Sequence, residues 1–487
     1  MRSLALWTIA LVALAAPLSL WSAEPAAAQR VFCPATVGGG AVTGIALDGG
    51  FCTDNAGTGA FSGAALATQA LSDLSQSTTQ QSNGQAERGI ATRRTEEEQR
   101  CPEGFVRVGG ECRRPAPSVA ISAPPSRPSV RISAPPPQQA TRRRAAVAKA
   151  RRPAPPPPPV VAAVPPPPPP VIVIQPHFGV WSQVFGSYEQ RSASGIASGA
   201  GLAGGPAAGP AGVVTVNLHS TTTTGGIISG FDYTARNLAA PGDGLITGIL
   251  VGYASSHLRL SSRGTSAAAG TGTSSLSADL AGPSVGVYTS YFNGPFSADL
   301  TAKFDFLGLD ETFSDTLAFA GNFVGKVARS GAGSTSLTNS SILGNLNYRF
   351  PMGPAFWIEP TIGFQYTATG YAANAARLGL DDGQLFRIQG GARFGFDRVL
   401  QGMLVTTTLT ALAYDDVMVK GGFVPGLSAF GNATLIGRQD QGKLRGEGIL
   451  AFNLDFGNGV SALVQGDIEG GEGLFAVGGR VGLRYQW

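Results

Sequence analysis

The side chains suited to covalent or metal chemistry are few. Cysteine occurs four times, at Cys33, Cys52, Cys101 and Cys112, and histidine three times, at His177, His219 and His257. There is no CxxC pair, and the histidines are remote from the cysteines, so the ligand spacing of a structural zinc site is missing. In an exported chain an even cysteine count reads as disulfides, and four allow three pairings. CPEGFVRVGGEC holds Gly104, Gly109 and Gly110, which let a short loop close, so the natural pairing is Cys101–Cys112 with Cys33–Cys52. Export is read from the start of the chain, where Arg2 precedes an apolar run from Leu4 to Leu20 and AEPAAAQ offers cleavage after Ala28. No G-x-S-x-G elbow is present, and no histidine stands with Ser and Asp in a plausible triad. The acidic pairs Asp381-Asp382 and Asp415-Asp416 fall in expected loops or strand ends, and the glycines at 38–40 lack the strand–helix context of a phosphate loop. The expectation is a protein that is not an enzyme and needs no cofactor or metal.

A second set of polar residues is placed with regularity. In AFWIEPTIGFQYTATGY, Phe356, Ile358, Pro360, Ile362, Phe364 and Tyr366 share one face, and Trp357, Glu359, Thr361, Gln365 and Thr367 the other. LFRIQGGARFGFD sets Phe386, Ile388, Phe394 and Phe396 against Arg387, Gln389 and Arg393, and FSADLTAKFDF sets Leu300, Phe304 and Phe306 against Asp299, Lys303 and Asp305. Arg445, Glu447, Arg480 and Arg484 follow the same period of two, so charges of both signs collect on one face while the other carries almost none. Such charges suit a lumen, because a charge facing lipid at mid-membrane costs roughly 2–4 kcal/mol.

Composition agrees with that division. Charged residues are 14% of the 487, well below an ordinary soluble domain, and the 68 glycines are about double the average share. After the first thirty residues no apolar run is long enough for a spanning helix. A net charge of +4 is too small to argue for nucleic acid. Alternation runs for ten residues or more per segment, long enough to cross a membrane at a tilt. Tight turns such as YFNGPF, RFPMGP and FGNGV, with Asn458-Gly459 a hairpin signal, alternate with long Gly/Ser/Thr stretches at 189–220, 258–275, 310–335 and 416–442. Short turns on one rim and long loops on the other describe an outer-membrane barrel. The expected fold is all-β, a 12-stranded antiparallel transmembrane β-barrel. Its strands lie near 178–188, 221–235, 244–258, 278–291, 296–309, 337–350, 355–368, 385–398, 403–415, 443–456, 459–469 and 475–487.

Four regions result: a signal peptide at 1–28, a small cysteine-containing region at 29–114, a Pro/Arg-rich linker at 115–176 and the barrel at 177–487. In the second, Ala64, Ala67, Leu71 and Leu74 have helical spacing, and ATRRTEEEQR reads as a solvated helix end. The linker carries Arg142, Arg143, Arg144, Lys149, Arg151 and Arg152 without an acidic residue. It reads either as a disordered spacer or as a cationic strap for anionic polymer such as peptidoglycan or lipopolysaccharide.

In the last strand Val481, Leu483, Tyr485 and Trp487 face lipid, and Arg480, Arg484 and Gln486 face the lumen. Arg480, Gly482, Tyr485 and Trp487 resemble the polar-x-Gly-x-x-aromatic-x-aromatic signal read by the outer-membrane barrel assembly machinery. With GVWSQVFGSY, FWIEPTIGFQYT, DDGQLFRIQGGARFG and GRVGLRYQW, the chain resembles the β-domain of the monomeric, type V autotransporters of Gram-negative bacteria over 178–487. The resemblance implies a monomeric outer-membrane barrel that helps an N-terminal passenger to the cell surface. The family also threads an α-helix through its lumen. Here the proline run 153–176 stands in that place, either spanning the bilayer or hanging below it. Residues 29–114 are then either displayed outside or kept in the periplasm.

Overall fold

The computed structural model describes residues 177–487 apart from 200–211, 241, 267–269, 321–324, 354, 379, 401–402 and 422–442. It also describes 67–99 and short strand pieces at 36–37, 40–41, 45–46, 52–53, 59–61, 106–108 and 111–113. The signal-peptide reading, the proline linker, Cys33 and Cys101 lie outside the described residues, as do the side chains of Cys52 and Cys112. The chain divides into two compact units, Met1–Arg100 with Gln175–Trp487, and Cys101–Ile174. The second contains a two-stranded antiparallel pairing of Val106–Val108 with Glu111–Arg113.

In the first unit twelve strands close on themselves. They are β1 His177–Gly199, β2 Gly212–Arg236, β3 Gly244–Ser266, β4 Gly270–Asn293, β5 Phe296–Ala320 and β6 Gly325–Tyr348. The second half comprises β7 Phe356–Tyr371, β8 Gly383–Leu400, β9 Met403–Gly421, β10 Arg445–Asp455, β11 Val460–Gly471 and β12 Leu474–Gln486. Each pairs antiparallel with its neighbours in sequence, and β12 returns to β1 from Leu474↔Arg191 to Gln486↔Gly179. Phe178 and Trp487 finish the seam by exchanging backbone hydrogen bonds of 3.1 Å. Closure removes the unpaired edge that lipid could not satisfy.

The outer face is apolar where the alternation demands it. On β5, Phe296, Leu300 and Phe306 are exposed outward. Ten residues at about 3.4 Å each, tilted about 40°, give a band roughly 26 Å high, the height of an outer-membrane hydrocarbon layer. Aromatic rings girdle the rim where the tight turns lie: Phe178 stacks on Phe231 at 5.7 Å and Tyr485 on Trp487 at 5.5 Å.

The far rim departs from expectation. Strands β1–β6 run 23–25 residues, whereas β7–β12 run 11–19. Much of the stretches expected as loops at 189–220, 258–275 and 310–335 is therefore paired strand that rises beyond the apolar band. The side-chain alternation continues there with its polarity inverted. Leu258, Leu260, Leu276, Leu280, Leu307 and Leu309 are buried inside, while Arg259, Ser261, Ser275, Asp279 and Asp310 are exposed outside. A strand leaving the bilayer gains nothing from an apolar outer face, so the inversion marks where lipid ends. At the tip of β5, Gly59–Phe61 pairs with Ala318–Ala320, which puts this N-terminal segment at the long-strand rim.

Candidate functional site

The lumen holds an α-helix, α1, Ala67–Gln99. The proline run therefore does not take the place of a lumen helix, which is supplied by residues 67–99. ATRRTEEEQR is likewise not a solvated end: Arg93, Arg94 and Glu97 are buried. The helix is only weakly amphipathic because its surroundings are mostly polar, and it meets them with side chains matched level by level.

At the long-strand rim the match is apolar. Ala70, Leu71 and Leu74 pack among Leu258, Leu276, Leu280, Leu309 and Leu337, with Ala375 of the 3-10 turn Ala373–Leu378 and Leu380 just after it in the same cluster. One turn on, hydroxyls and amides take over. Thr78 donates to Ser256 Oγ at 2.8 Å, Ser77 to Glu189 at 2.7 Å, and Asn339 donates to Thr79 Oγ1 at 2.5 Å. Mid-barrel, the carbonyl oxygen of Gln85 accepts from Gln183 at 2.7 Å and from Arg480 at 3.2 Å. Ala86 and Ile90 meet Trp181, Ile228, Leu250 and Tyr288 in a second apolar cluster. Glycine makes room for that cluster: a Cβ on Gly230 would lie 2.4 Å from the Trp181 ring.

At the turn rim the match is ionic. Arg93 reaches Asp232 at 2.8 Å and Thr234 at 2.6 Å, and also pairs with Glu97. Glu97 in turn meets His177 at 2.8 Å, Arg236 at 3.3 Å and Arg484 at 3.8 Å. Arg94 bridges Glu359 at 3.0 Å, Asp299 at 3.6 Å and Glu98 at 3.7 Å. Glu96 pairs with Arg484 and accepts from Asn453 and Ser461, each at 2.9 Å. In so enclosed a setting each charge depends on its partner, because desolvating an unpaired one costs several kcal/mol.

The charges singled out from the sequence have these places. Lys303 and Asp305 are buried within the wall and pair with each other. Glu359 receives Arg349 at 2.8 Å and Arg393 at 3.2 Å besides Arg94. Arg387 binds Asp416 at 2.7 Å and Gln80 of the helix at 2.9 Å, and Glu447 pairs with Arg88 of the helix. Arg445 and Arg484 are buried, and Arg480 reaches Gln183 at 2.7 Å. Gly482 lies against Gln183, where an added Cβ would sit at 3.2 Å. Sequence reasoning missed the helical half of these pairs. The available signal was Arg88, Arg93, Arg94, Glu96 and Glu97 at helical spacing, opposite signs to those in the wall.

Beside the helix, facing β1 and β5–β12, remains a polar cleft of about 1110 Å³ including its open mouth, lined by Gln80, Gln81, Gly84, Arg387, Gln389 and Glu469 among others. The barrel thus closes around a helix of its own chain, whose Leu71 end lies at the long-strand rim. A family model, the autotransporter β-domain, matches residues 180–467. The chain belongs to the autotransporter β-domain family. It is thus an outer-membrane translocator barrel of the Gram-negative type V kind. Among solved structures it is similar to the β domain of the Bordetella autotransporter BrkA, at 18% identity over 63% of this chain and 98% of that one, TM-score 0.39. The translocator domain of NalP from Neisseria meningitidis is similar at 14% identity, covering 63% and 88%, TM-score 0.34. The transport unit of AIDA-I from Escherichia coli is similar at 15%, covering 63% and 90%, TM-score 0.33. A search of curated proteins found no match.

Proposed function

We propose that this autotransporter barrel carries its own short N-terminal segment to the cell surface and then keeps it there, plugged and anchored by α1. The polarity of the helix carries this reading. Its Leu71 end lies at the long-strand rim and its Glu97 end at the turn rim, where Glu97 touches His177, the first residue of β1. Periplasmic turns are the short ones in such barrels, so residues before Ala67 leave on the outside. Residues 100–176 must then start and finish at the periplasmic rim. The Pro/Arg-rich linker becomes a periplasmic arm whose cations suit the anionic cell wall, which unites the two readings the sequence left open. The same threading separates Cys33 and Cys52 from Cys101 and Cys112, so only the pairing within each couple is compatible with it. Arg480, Gly482, Tyr485 and Trp487 serve as the signal to the assembly machinery.

Two epitopes test the reading, one inserted near Gly57 and one near Ala148. In intact cells antibody should reach only the first, and permeabilisation should reveal the second. Labelling of the Ala148 epitope in intact cells, or of neither, would reject it.

A further inference from the structure

The outward charges of the long strands form an array with a clear position. Just past the outer apolar row that holds Val184, Ile227, Tyr253 and Phe306 comes a row of small residues, Gly186, Gly225, Ser255, Ala281 and Gly308, with Tyr188 of β1 one row further. The next rows on β2 and β3 bring His257 opposite Thr223, Arg259 opposite Thr221, Ser261 opposite His219 and Arg263 opposite Asn217. Arg259, Arg263 and His219 are exposed. Arg259 does not wander: its Nε donates to His257 Nε2 at 3.2 Å, and His257 Nδ1 meets Asp279 Oδ1 at 2.7 Å. The relay uses the Nε of an exposed guanidinium. Around it stand hydroxyls, Thr221, Ser261, Ser277 and Thr312, at outward positions. The acids, Asp279 and Asp310, lie on β4 and β5, beside the basic strip on β2–β3, and Asp279 is engaged by His257.

We infer that this strip, Arg259 and Arg263 with His219 and the flanking hydroxyls, binds the phosphorylated sugar headgroup of the outer-leaflet glycolipid. The chemistry is specific. Oriented guanidinium groups recognise phosphate by paired N–H donors, hydroxyls recognise sugar, and the apolar band lower on the same strands, past the row of small residues, takes the acyl chains. A basic strip without the lipid band below would suit any anion, but here both halves of an amphiphile are accommodated in one line. The inference rests on the long-strand rim facing outward, as proposed above.

The test uses the full chain purified in neutral detergent, with bisphosphorylated lipid A as probe. Each cation near an anionic lipid surface contributes about 1 kcal/mol, so Arg259→Gln with Arg263→Gln should weaken lipid A binding about thirtyfold, at 1.36 kcal/mol per decade. Dephosphorylated lipid A should bind the parent protein no better than the double variant binds the intact probe. Arg398→Gln, at the opposite rim, should leave affinity unchanged. Equal affinity of parent and double variant, equal binding of the dephosphorylated probe, or equal binding of phosphatidylglycerol would each overturn the assignment. Because binding in detergent is blind to membrane orientation, it can succeed or fail independently of the epitope experiment.

Discussion

Replacing Glu97 with glutamine should loosen the plug, whereas the same change one residue later should not. Glu97 is buried and draws Arg93, Arg236 and His177 onto a single carboxylate, with Arg484 at 3.8 Å. Glutamine keeps the shape and removes the charge. Arg93 retains Asp232, and Arg236 keeps the backbone carbonyl of residue 97, but both lose the Glu97 carboxylate, which Arg236 reaches at 3.3 Å. Breaking a buried pair from one side costs about 3–5 kcal/mol. Glu98 differs in kind: its partners Arg94 and Arg349 both keep Glu359, at 3.0 and 2.8 Å. Its neutralisation should cost no more than about 1 kcal/mol, the scale of a partly solvated pair. If helix release opens the lumen, ~3 kcal/mol raises the ratio of open to plugged barrels roughly 160-fold, at 1.36 kcal/mol per decade. Single-channel recording in planar bilayers reads that ratio directly, as the fraction of time in a large-conductance state. Glu97→Gln should show frequent openings and Glu98→Gln almost none. Equal behaviour of the two variants, or a silent Glu97→Gln barrel, would refute the view that the ionic end fastens the helix.

Particular contacts give further outcomes. Leu74→Ala empties part of the apolar collar and should destabilise the plugged state by about 2–5 kcal/mol, seen as faster protease cleavage of the helix in folded barrels. Gly230→Ala puts a methyl 2.4 Å from the Trp181 ring and should cost about 1–3 kcal/mol of overpacking, read as a lower heat-modifiability midpoint on cold gels. Asp243, in the turn between β2 and β3, is buried, which opposes its charge, yet the amides of Ala239, Leu238 and Ala240 hold its pKa below the usual carboxylate range. Its contribution is therefore complete above the ordinary aspartate pKa and is lost as pH falls through the depressed value. Asp243→Asn should cost roughly 1.5–3 kcal/mol at neutral pH and progressively less in acid, measured by unfolding midpoints across pH.

Strand number and facing could be read from the chain because period two is imposed by lipid outside and a polar lumen within, and nearly every residue of AFWIEPTIGFQY obeys it. The helix was harder to see. A helix that packs on a mostly polar wall carries Ser, Thr, Gln and Asn where a soluble helix carries leucine, so residues 75–85 show no apolar stripe. Its charged end looked solvated because the matching charges lie more than a hundred residues away. The long strands hid for another reason. LSADL and LRLSS alternate faithfully, but Leu276, Leu280, Leu258 and Leu260 face inward, the reverse of the lipid-level pattern, and Ser and Gly suggest loops. Two physical environments along one strand make a single rule fail at their boundary.

The central claim is that α1 lies in the lumen with its Leu71 end outward. The most direct measurement is a disulfide trap in living cells, with Thr78→Cys and Ser256→Cys in a chain whose native cysteines are replaced by serine and a protease site placed in the linker. Thr78 Oγ1 and Ser256 Oγ are 2.8 Å apart, so oxidation should bond helix to wall, and the N-terminal fragment should stay with the barrel after linker cleavage until reductant is added. Release of the fragment under oxidising conditions, with both cysteines still free to react, would contradict the account.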